Sequence, residues 1–242
     1  MTRPPSILCI IPARGKSKRI PGKNIRPFAG KPLVAHTILQ ARKLSFVDRI
    51  VVDTDSPKIA AVAKKYGAEV PFLRSARLAT DVATITDAVL HLLARLEKAE
   101  GYKPDYVLLL QTTSPLREVR DIQKCWQRMK RGGEDAVVTV ARTHPQLFVM
   151  DKKGTIVRAN KRVVRSPNMQ SWPTSYLLNG CFAYIIRTTA LKREKTFVPK
   201  RTAAVECPRW RSVDLDTPED WVMAELIYKN RKSIASNLTK FV

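Results

Sequence analysis

Directly behind the apolar run Ile7 to Ala13, the stretch Arg14-Gly15-Lys16-Ser17-Lys18-Arg19-Ile20-Pro21-Gly22-Lys23-Asn24 gathers five cations and two glycines. Arginine grips phosphate oxygens two at a time, lysine acts as a point charge, and Gly15 and Gly22 let backbone amides approach a triphosphate. This is no Walker loop: six residues rather than four separate the glycines, and Asn24 stands where Ser or Thr is required. The alternative is a solvated basic turn, but loops at the carboxyl ends of buried strands in open α/β sheets are where ligands bind.

Two further stretches carry chemistry. In Val213-Asp214-Leu215-Asp216-Thr217-Pro218 the two aspartates alternate, so on an extended chain both point to one face, about 7 Å apart at the α-carbons. Converging carboxylates suit Mg2+, whereas alone Asp216 or Thr217 would simply cap the next helix. In Gln111-Thr112-Thr113-Ser114-Pro115-Leu116-Arg117 a buried strand ends in neutral hydrogen-bonding groups, suited to orienting hydroxyls, with Ser114 available as a helix cap.

The intervening elements must bring these together. Strand character at 7–13, 49–54, 69–73, 105–111 and 136–141 alternates with helical stripes: Val34, Ile38, Ala41 and Leu44; Ile59, Val62, Ala63 and Tyr66; Ile85, Val89, Leu92, Leu93 and Leu96; and Ile122, Cys125, Trp126 and Met129. Ser56 as cap, Pro57 at the first position and Gly67 at the end frame one of these helices. The pattern predicts an α/β fold with a doubly wound, mostly parallel sheet and a ligand just beyond Ala13, Asp53 and Gln111. From Arg142 the pattern breaks into a hairpin, Leu147 to Met150 and Thr155 to Ala159, then an irregular stretch to Ser175. We read 142–178 as an arm inserted into a single domain spanning 1–242. Its Leu147, Phe148, Val149 and Met150 have no evident place to bury on their own subunit, which predicts a homodimer. Strands at 179–187 and near 203–206, an extended 212–216 and a final helix with Val222, Met223, Leu226 and Ile227 inward complete the chain, the basic tail from Lys229 reading as a frayed end.

At 242 residues, 44% hydrophobic and 7% aromatic, the composition is that of a globular protein and excludes bulk disorder. No apolar run approaches the roughly 20 residues that span a bilayer, and Met1 to Ser6 leads into the first strand without a cleavage site, so the reading is cytoplasmic and unprocessed. Forty-four Lys and Arg against 21 Asp and Glu leave a net charge of +23, which alone would suit a nucleic-acid binder. No zinc-finger spacing, basic heptad helix or aromatic RNA-binding strand accompanies it, so nucleic acid is the lesser alternative. Cys9, Cys125, Cys181 and Cys207 are widely spaced beside only three His, indicating neither zinc nor a disulfide framework.

Together, Ile11 to Asn24, Arg74 with Leu78-Ala79-Thr80-Asp81, Gln111 to Arg117, Asn179-Gly180 and Asp214 to Thr217 give the chain a resemblance, over nearly its whole length, to the acylneuraminate cytidylyltransferases. These are also called CMP-sialic acid synthetases, and bacterial relatives act on other 3-deoxy-2-keto sugar acids. The resemblance implies a Rossmann-like nucleotidyltransferase converting CTP and an acidic sugar to a CMP-sugar and pyrophosphate, with Mg2+ and a dimer built by the arm. Carried over position by position, it implies that Ala13, Arg14, Lys18, Lys23 and Asn24 meet the triphosphate and Arg74 and Thr80 the nucleotide. Gln111, Thr113 and Asn179 would meet the sugar, Asp214 and Asp216 the metal, and Arg14, Lys23 and the two aspartates would carry catalysis, one aspartate also helping to remove the hydroxyl proton.

Thr112 replaces a proline usual in the family, implying a change in loop stiffness only. Leu147 and Met169 stand where sialic-acid enzymes often place Lys and Arg against the sugar carboxylate, a loss of about 3 to 6 kcal/mol of binding if unreplaced. This points to an acceptor other than N-acetylneuraminic acid, unless Arg162 or Arg165 supplies the charge. A nucleotidyltransferase acting on another acid, such as a phosphonate, is the alternative.

Overall fold

The computed structural model describes residues 3–159, 170, 172–180 and 182–241. Strand β1 (Ile7–Pro12) is the centre of the fold, with Ile7 to Ile11 fully buried. Because side chains alternate along a strand, Ile7, Cys9 and Ile11 enter one core layer and Leu8 and Ile10 the other. The first layer is closed by helices α1 (Leu33–Ala41), α2 (Pro57–Lys65) and α4 (Val119–Lys130) through Val34, Ile38, Ile59, Ile122 and Trp126. The second is closed by α3 (Ile85–Glu100) and α5 (Thr188–Glu194) through Val89, Leu93, Leu96 and Leu191. This is the doubly wound arrangement expected.

β1 pairs in parallel with β4 (Arg49–Asp53) and β5 (Tyr106–Leu109). Next to β5 lies β10 (Tyr184–Arg187), antiparallel both to it and to β6 (Ala136–Thr143), and β11 (Thr202–Glu206) returns parallel to β6. The order is β11-β6-β10-β5-β1-β4. β9 (Ser175–Leu178) also pairs antiparallel with β6, opposite Val140 to Thr143, so β9 and β10 follow one another along the same edge. Between them Asn179 and Ala183 bond to the Thr139 side chain. Small strands β2 (Pro27–Phe28) and β3 (Lys31–Pro32) form a ribbon before α1.

The local chemistry accounts for the element ends. Ser56 Oγ accepts from the Ile59 amide with Pro57 at the first position, as anticipated. At the start of α6 (Pro218–Leu238) the Thr217 hydroxyl takes the Asp220 amide at 3.2 Å while Asp220 Oδ2 takes the Thr217 amide at 2.7 Å, a reciprocal capping box.

Four expectations need correction. The strand at 69–73 reduces to one parallel bridge between Val51 and Glu69, because Pro71 has no amide to continue the ladder. The buried side of α6 is nearly opposite to the one expected, since at about 3.6 residues per turn positions 221, 224 and 228 share a face away from 222, 223 and 226. Trp221 and Ala224 are buried, with the Trp221 ring edge-on to Phe28 at 5.5 Å, and Val222, Met223 and Leu226 are more than half exposed. The large indole, not the count of aliphatic residues, decides which face packs. The tail beyond Lys229 is not frayed: without Gly or Pro, α6 continues to Leu238. Finally, α5 was not anticipated.

The arm hairpin is present as β7 (Phe148–Met150) and β8 (Ile156–Arg158), joined at Asp151 to Gly154. Residues 160–169, including Arg162, Arg165 and Met169, lie outside the described residues, as does Cys181. Cys9, Cys125 and Cys207 are buried free thiols. Among the described residues no helix is long and apolar enough to cross a membrane.

Candidate active site

A cavity of about 260 Å³ opens at the carboxyl ends of β1, β4 and β5, where the sheet's switch of direction leaves a crevice. Arg14, Lys23, Asn24, Arg74, Thr80, Gln111, Thr113, Asp214 and Asp216 all line it, residues separated by up to 200 positions. Of the expected site residues, Ala13, Lys18 and Asn179 do not.

The basic loop leaves β1 with the Ala13 amide bonded to Asp53 O at 2.9 Å, so Ala13 is buried and its donor is used. The Gly15 amide likewise goes to Asp55 Oδ1 at 2.7 Å, and a Cβ on Gly15 would stand 2.9 Å from Ser56 Cβ. Gly15 therefore serves the loop's close approach to the β4–α2 junction rather than a phosphate. Gly22, at φ +66°, starts a single tight turn over Lys23 to Ile25 that sets Lys23 and Asn24 against the cavity.

Lys23 Nζ donates to Leu215 O at 2.6 Å, tying this turn to the aspartate segment. Burial lowers the Lys23 pKa while Asp216 and Asp214 oppose the shift. Arg14 reaches across to Thr80 O and Asp81 Oδ1, both at 3.2 Å. Lys18 meets the other oxygen of Asp81 at 2.6 Å from the exposed rim. One exposed carboxylate thus holds two of the expected phosphate cations, and hydrogen bonding from Lys18 lowers the Asp81 pKa. Arg74, also in the lining, is paired in the interior with Asp53 Oδ2 at 2.7 Å and also donates to Asp53 O at 3.0 Å.

The aspartate segment is a turn rather than the expected extended chain. The Asp216 amide bonds to Asp214 O at 2.9 Å, closing three residues. Leu215 at its apex is fully buried against Ile20, Phe28 and Trp221, which is why the chain folds there while both carboxylates still face the cavity. Asp214 Oδ1 is buried and without a hydrogen-bond partner, and burial raises the Asp214 pKa, with the Thr113 hydroxyl opposing. Gly180 lies beneath it at φ +66°, where a Cβ would fall 2.5 Å from Asp214 Oδ2. Asp216 is exposed and meets Arg19 at 3.2 Å. Among the described residues no group of three His, Cys, Asp or Glu forms a protein-only metal cage. Two carboxylates, one with an unpartnered buried oxygen, fit a hard cation that completes its shell with substrate oxygens and water.

Asn179 is buried behind the cavity, its Oδ1 accepting from Thr139 Oγ1 at 2.8 Å and its Nδ2 donating to Ser212 Oγ at 3.2 Å. It thereby pins the Gly180 loop to the segment leading to Asp214. Two buried arginines escaped sequence reasoning. Arg117 donates to Gln111 O at 3.1 Å and to Phe182 O, Thr37 and Gln40, holding the end of β5 in place. Arg211 pairs in the interior with Asp121, at 2.5 and 2.9 Å, immediately before the aspartate segment. In the sequence both sit among solvated cations, and nothing local marks them as buried.

The cytidylyltransferase family model matches residues 8–203. The CMP-N,N'-diacetyllegionaminic acid synthase of Legionella pneumophila is 39% identical over 222 residues, covering 90% of this chain and 94% of that protein. A pseudaminic acid cytidylyltransferase of Campylobacter jejuni is 32% identical over 225 residues, covering 92% and 96%. Among solved structures, a CMP:2-keto-3-deoxy-manno-octonic acid synthetase complexed with CTP superposes with a TM-score of 0.70 at 16% identity, covering 93% of this chain and 99% of that one. That likeness speaks to the fold, but the family model covers most of the chain and both relatives exceed 30% identity over nine-tenths of it, and so the chain belongs to the cytidylyltransferase family.

Proposed function

We propose that the protein transfers CMP from CTP to the hydroxyl of an acidic sugar, sialic acid or a related 2-keto-3-deoxy sugar acid, releasing pyrophosphate. The observation that carries this reading is the convergence on one cavity of Arg14 and Lys23 with Asp214 and Asp216, lined also by Gln111 and Thr113. The names of the relatives, which specify legionaminic and pseudaminic acids, support an acidic sugar as acceptor.

In this reading the acceptor hydroxyl oxygen attacks the α-phosphorus, its proton passing to Asp214 or Asp216, and the bond to pyrophosphate breaks. Negative charge builds on the phosphoryl oxygens and on the leaving group. Arg14 and Lys23, fixed by Thr80 and Leu215 carbonyls, are already in place to stabilise it, with Lys18 at the rim. Arg74 and Thr80 shape the nucleotide end, and Gln111 and Thr113 orient the sugar; Asn179 supports the segment leading to Asp214 from behind. Asp214 and Asp216 would hold Mg2+, whose chemistry when bound is to neutralise phosphate charge.

Pyrophosphate release from CTP and Mg2+ with a panel of 2-keto-3-deoxy sugar acids and phosphonates tests this directly. Release dependent on a sugar acid is expected; release only with a phosphonate, or none, overturns it. Lys23→Ala and Arg14→Ala should each cost at least about tenfold in turnover, since a charged hydrogen bond to a transition-state phosphate contributes roughly 1.5 to 3 kcal/mol. Normal turnover in both folded variants would reduce the loop to a solvated turn.

We further propose that residues 1–242 form one domain and that 142–178 joins two copies of it. Phe148, Val149, Met150, Ile156, Val157, Leu177 and Leu178 are all between 44% and 68% exposed, an apolar surface that a second arm would cover. Sedimentation should give a dimer at micromolar concentration, converted to monomer by Val149→Asp with Met150→Asp. A monomeric parent protein would sink this proposal.

A further inference from the structure

Thr112 and Asn24 lie 88 positions apart, and both are buried at the edge of the cavity. Asn24 Nδ2 donates to Arg14 O at 2.9 Å, and Asn24 Oδ1 accepts from Thr112 Oγ1 at 2.6 Å. A carboxamide has two faces of similar shape, and this pair of partners distinguishes them. Turned over, Asn24 would set its oxygen against the Arg14 carbonyl, an acceptor against an acceptor. With the nitrogen committed to Arg14 O, the oxygen needs a donor, and the Thr112 hydroxyl supplies it.

We propose that Thr112 is a positioning residue for the nucleotide. Its hydroxyl fixes the Asn24 amide, which ties the backbone at Arg14 to the turn that carries Lys23, so that both cations are held relative to the end of β5. The same orientation leaves the second Nδ2 proton of Asn24 for a phosphate oxygen. Thr112 thus does more than alter loop stiffness: it joins the two loops that form the cavity by a bond that only a side chain with a donor makes there. This rests on the reading of the cavity as a nucleoside triphosphate site.

Calorimetric binding of CTP, ATP, GTP and UTP, each with Mg2+, to the parent protein and to Thr112→Val, Thr112→Ser, Asn24→Ala and Thr112→Val/Asn24→Ala separates the two ideas. Which nucleotide the parent binds tests the proposed function. How the variants bind that nucleotide tests Thr112. Valine keeps the shape and removes the donor, so binding should weaken about tenfold, with serine restoring it. In turnover kcat/KM for the nucleotide should fall, because the cations held this way act on both the bound nucleotide and its transition state, while KM for the acceptor stays within about twofold. Thr112→Val should add nothing to the loss already caused by Asn24→Ala. The inference is overturned if Thr112→Val binds as the parent does, if serine is as weak as valine, or if the two losses add in full. A parent protein that binds no nucleotide would overturn both ideas.

Discussion

Exchange of Asp214 for asparagine is expected to lower CMP transfer at least about a hundredfold, the scale on which a single preorganised group acts on transition-state charge. The fold should survive, and thermal stability should hold or rise. Burial already disfavours the ionised form of Asp214, and its Oδ1 has no hydrogen-bond partner, so the folded protein bears the cost of keeping a carboxylate there. Asparagine keeps the shape over Gly180 and removes the charge. Turnover titrated with Mg2+ and a melting curve, measured together, check the expectation: retained Mg2+-dependent activity would move the metal site elsewhere, and collapse of the fold would make Asp214 structural.

The second large effect is on stability. Arg211→Leu should lower the unfolding free energy by about 3 to 5 kcal/mol, because it leaves the Asp121 carboxylate buried and unpaired. Both side chains are 3% exposed, and Asp121 also accepts the Glu118 amide at 2.9 Å in the capping box of α4. Asparagine at 121 keeps a cap without the charge, so Arg211→Leu with Asp121→Asn should recover much of the loss. Urea unfolding of the three proteins decides it, and a single-variant loss under about 1 kcal/mol would show that water reaches the pair.

What local sequence reveals here depends on how far a residue's partner lies along the chain. The unbroken apolar run through Ile7 to Ile11 and the signals at Ser56, Pro57 and Thr217 are properties of neighbours, and the elements formed where those neighbours indicate. The cavity residues were legible because polar side chains at the ends of buried strands have few other uses. Arg211, Arg117 and the Thr112 hydroxyl were not, since their partners lie 65 to 90 positions away and their types are ordinary on a surface. Asn179 shows the converse: its family motif points to the sugar, while packing commits both ends of its amide to Thr139 and Ser212. The face of α6 was misjudged for a related reason, because the pocket that receives Trp221 is built in large part by Phe28 and Leu33, distant from it in sequence.

The place of β10 has a consequence for biosynthesis. The strand between β5 and β6 is made about 40 residues after β6 is complete, and β9 and β11, the other partners of β6, are also still to come. At about 5 to 20 residues per second of translation, β6 and the free edge of β5 wait roughly 2 to 8 s on the ribosome as apolar strands with unpaired amides. A nascent chain halted near residue 170 therefore carries both edges indefinitely. Such truncated products should be insoluble without a chaperone, while release of the full chain lets one late strand close both edges at once.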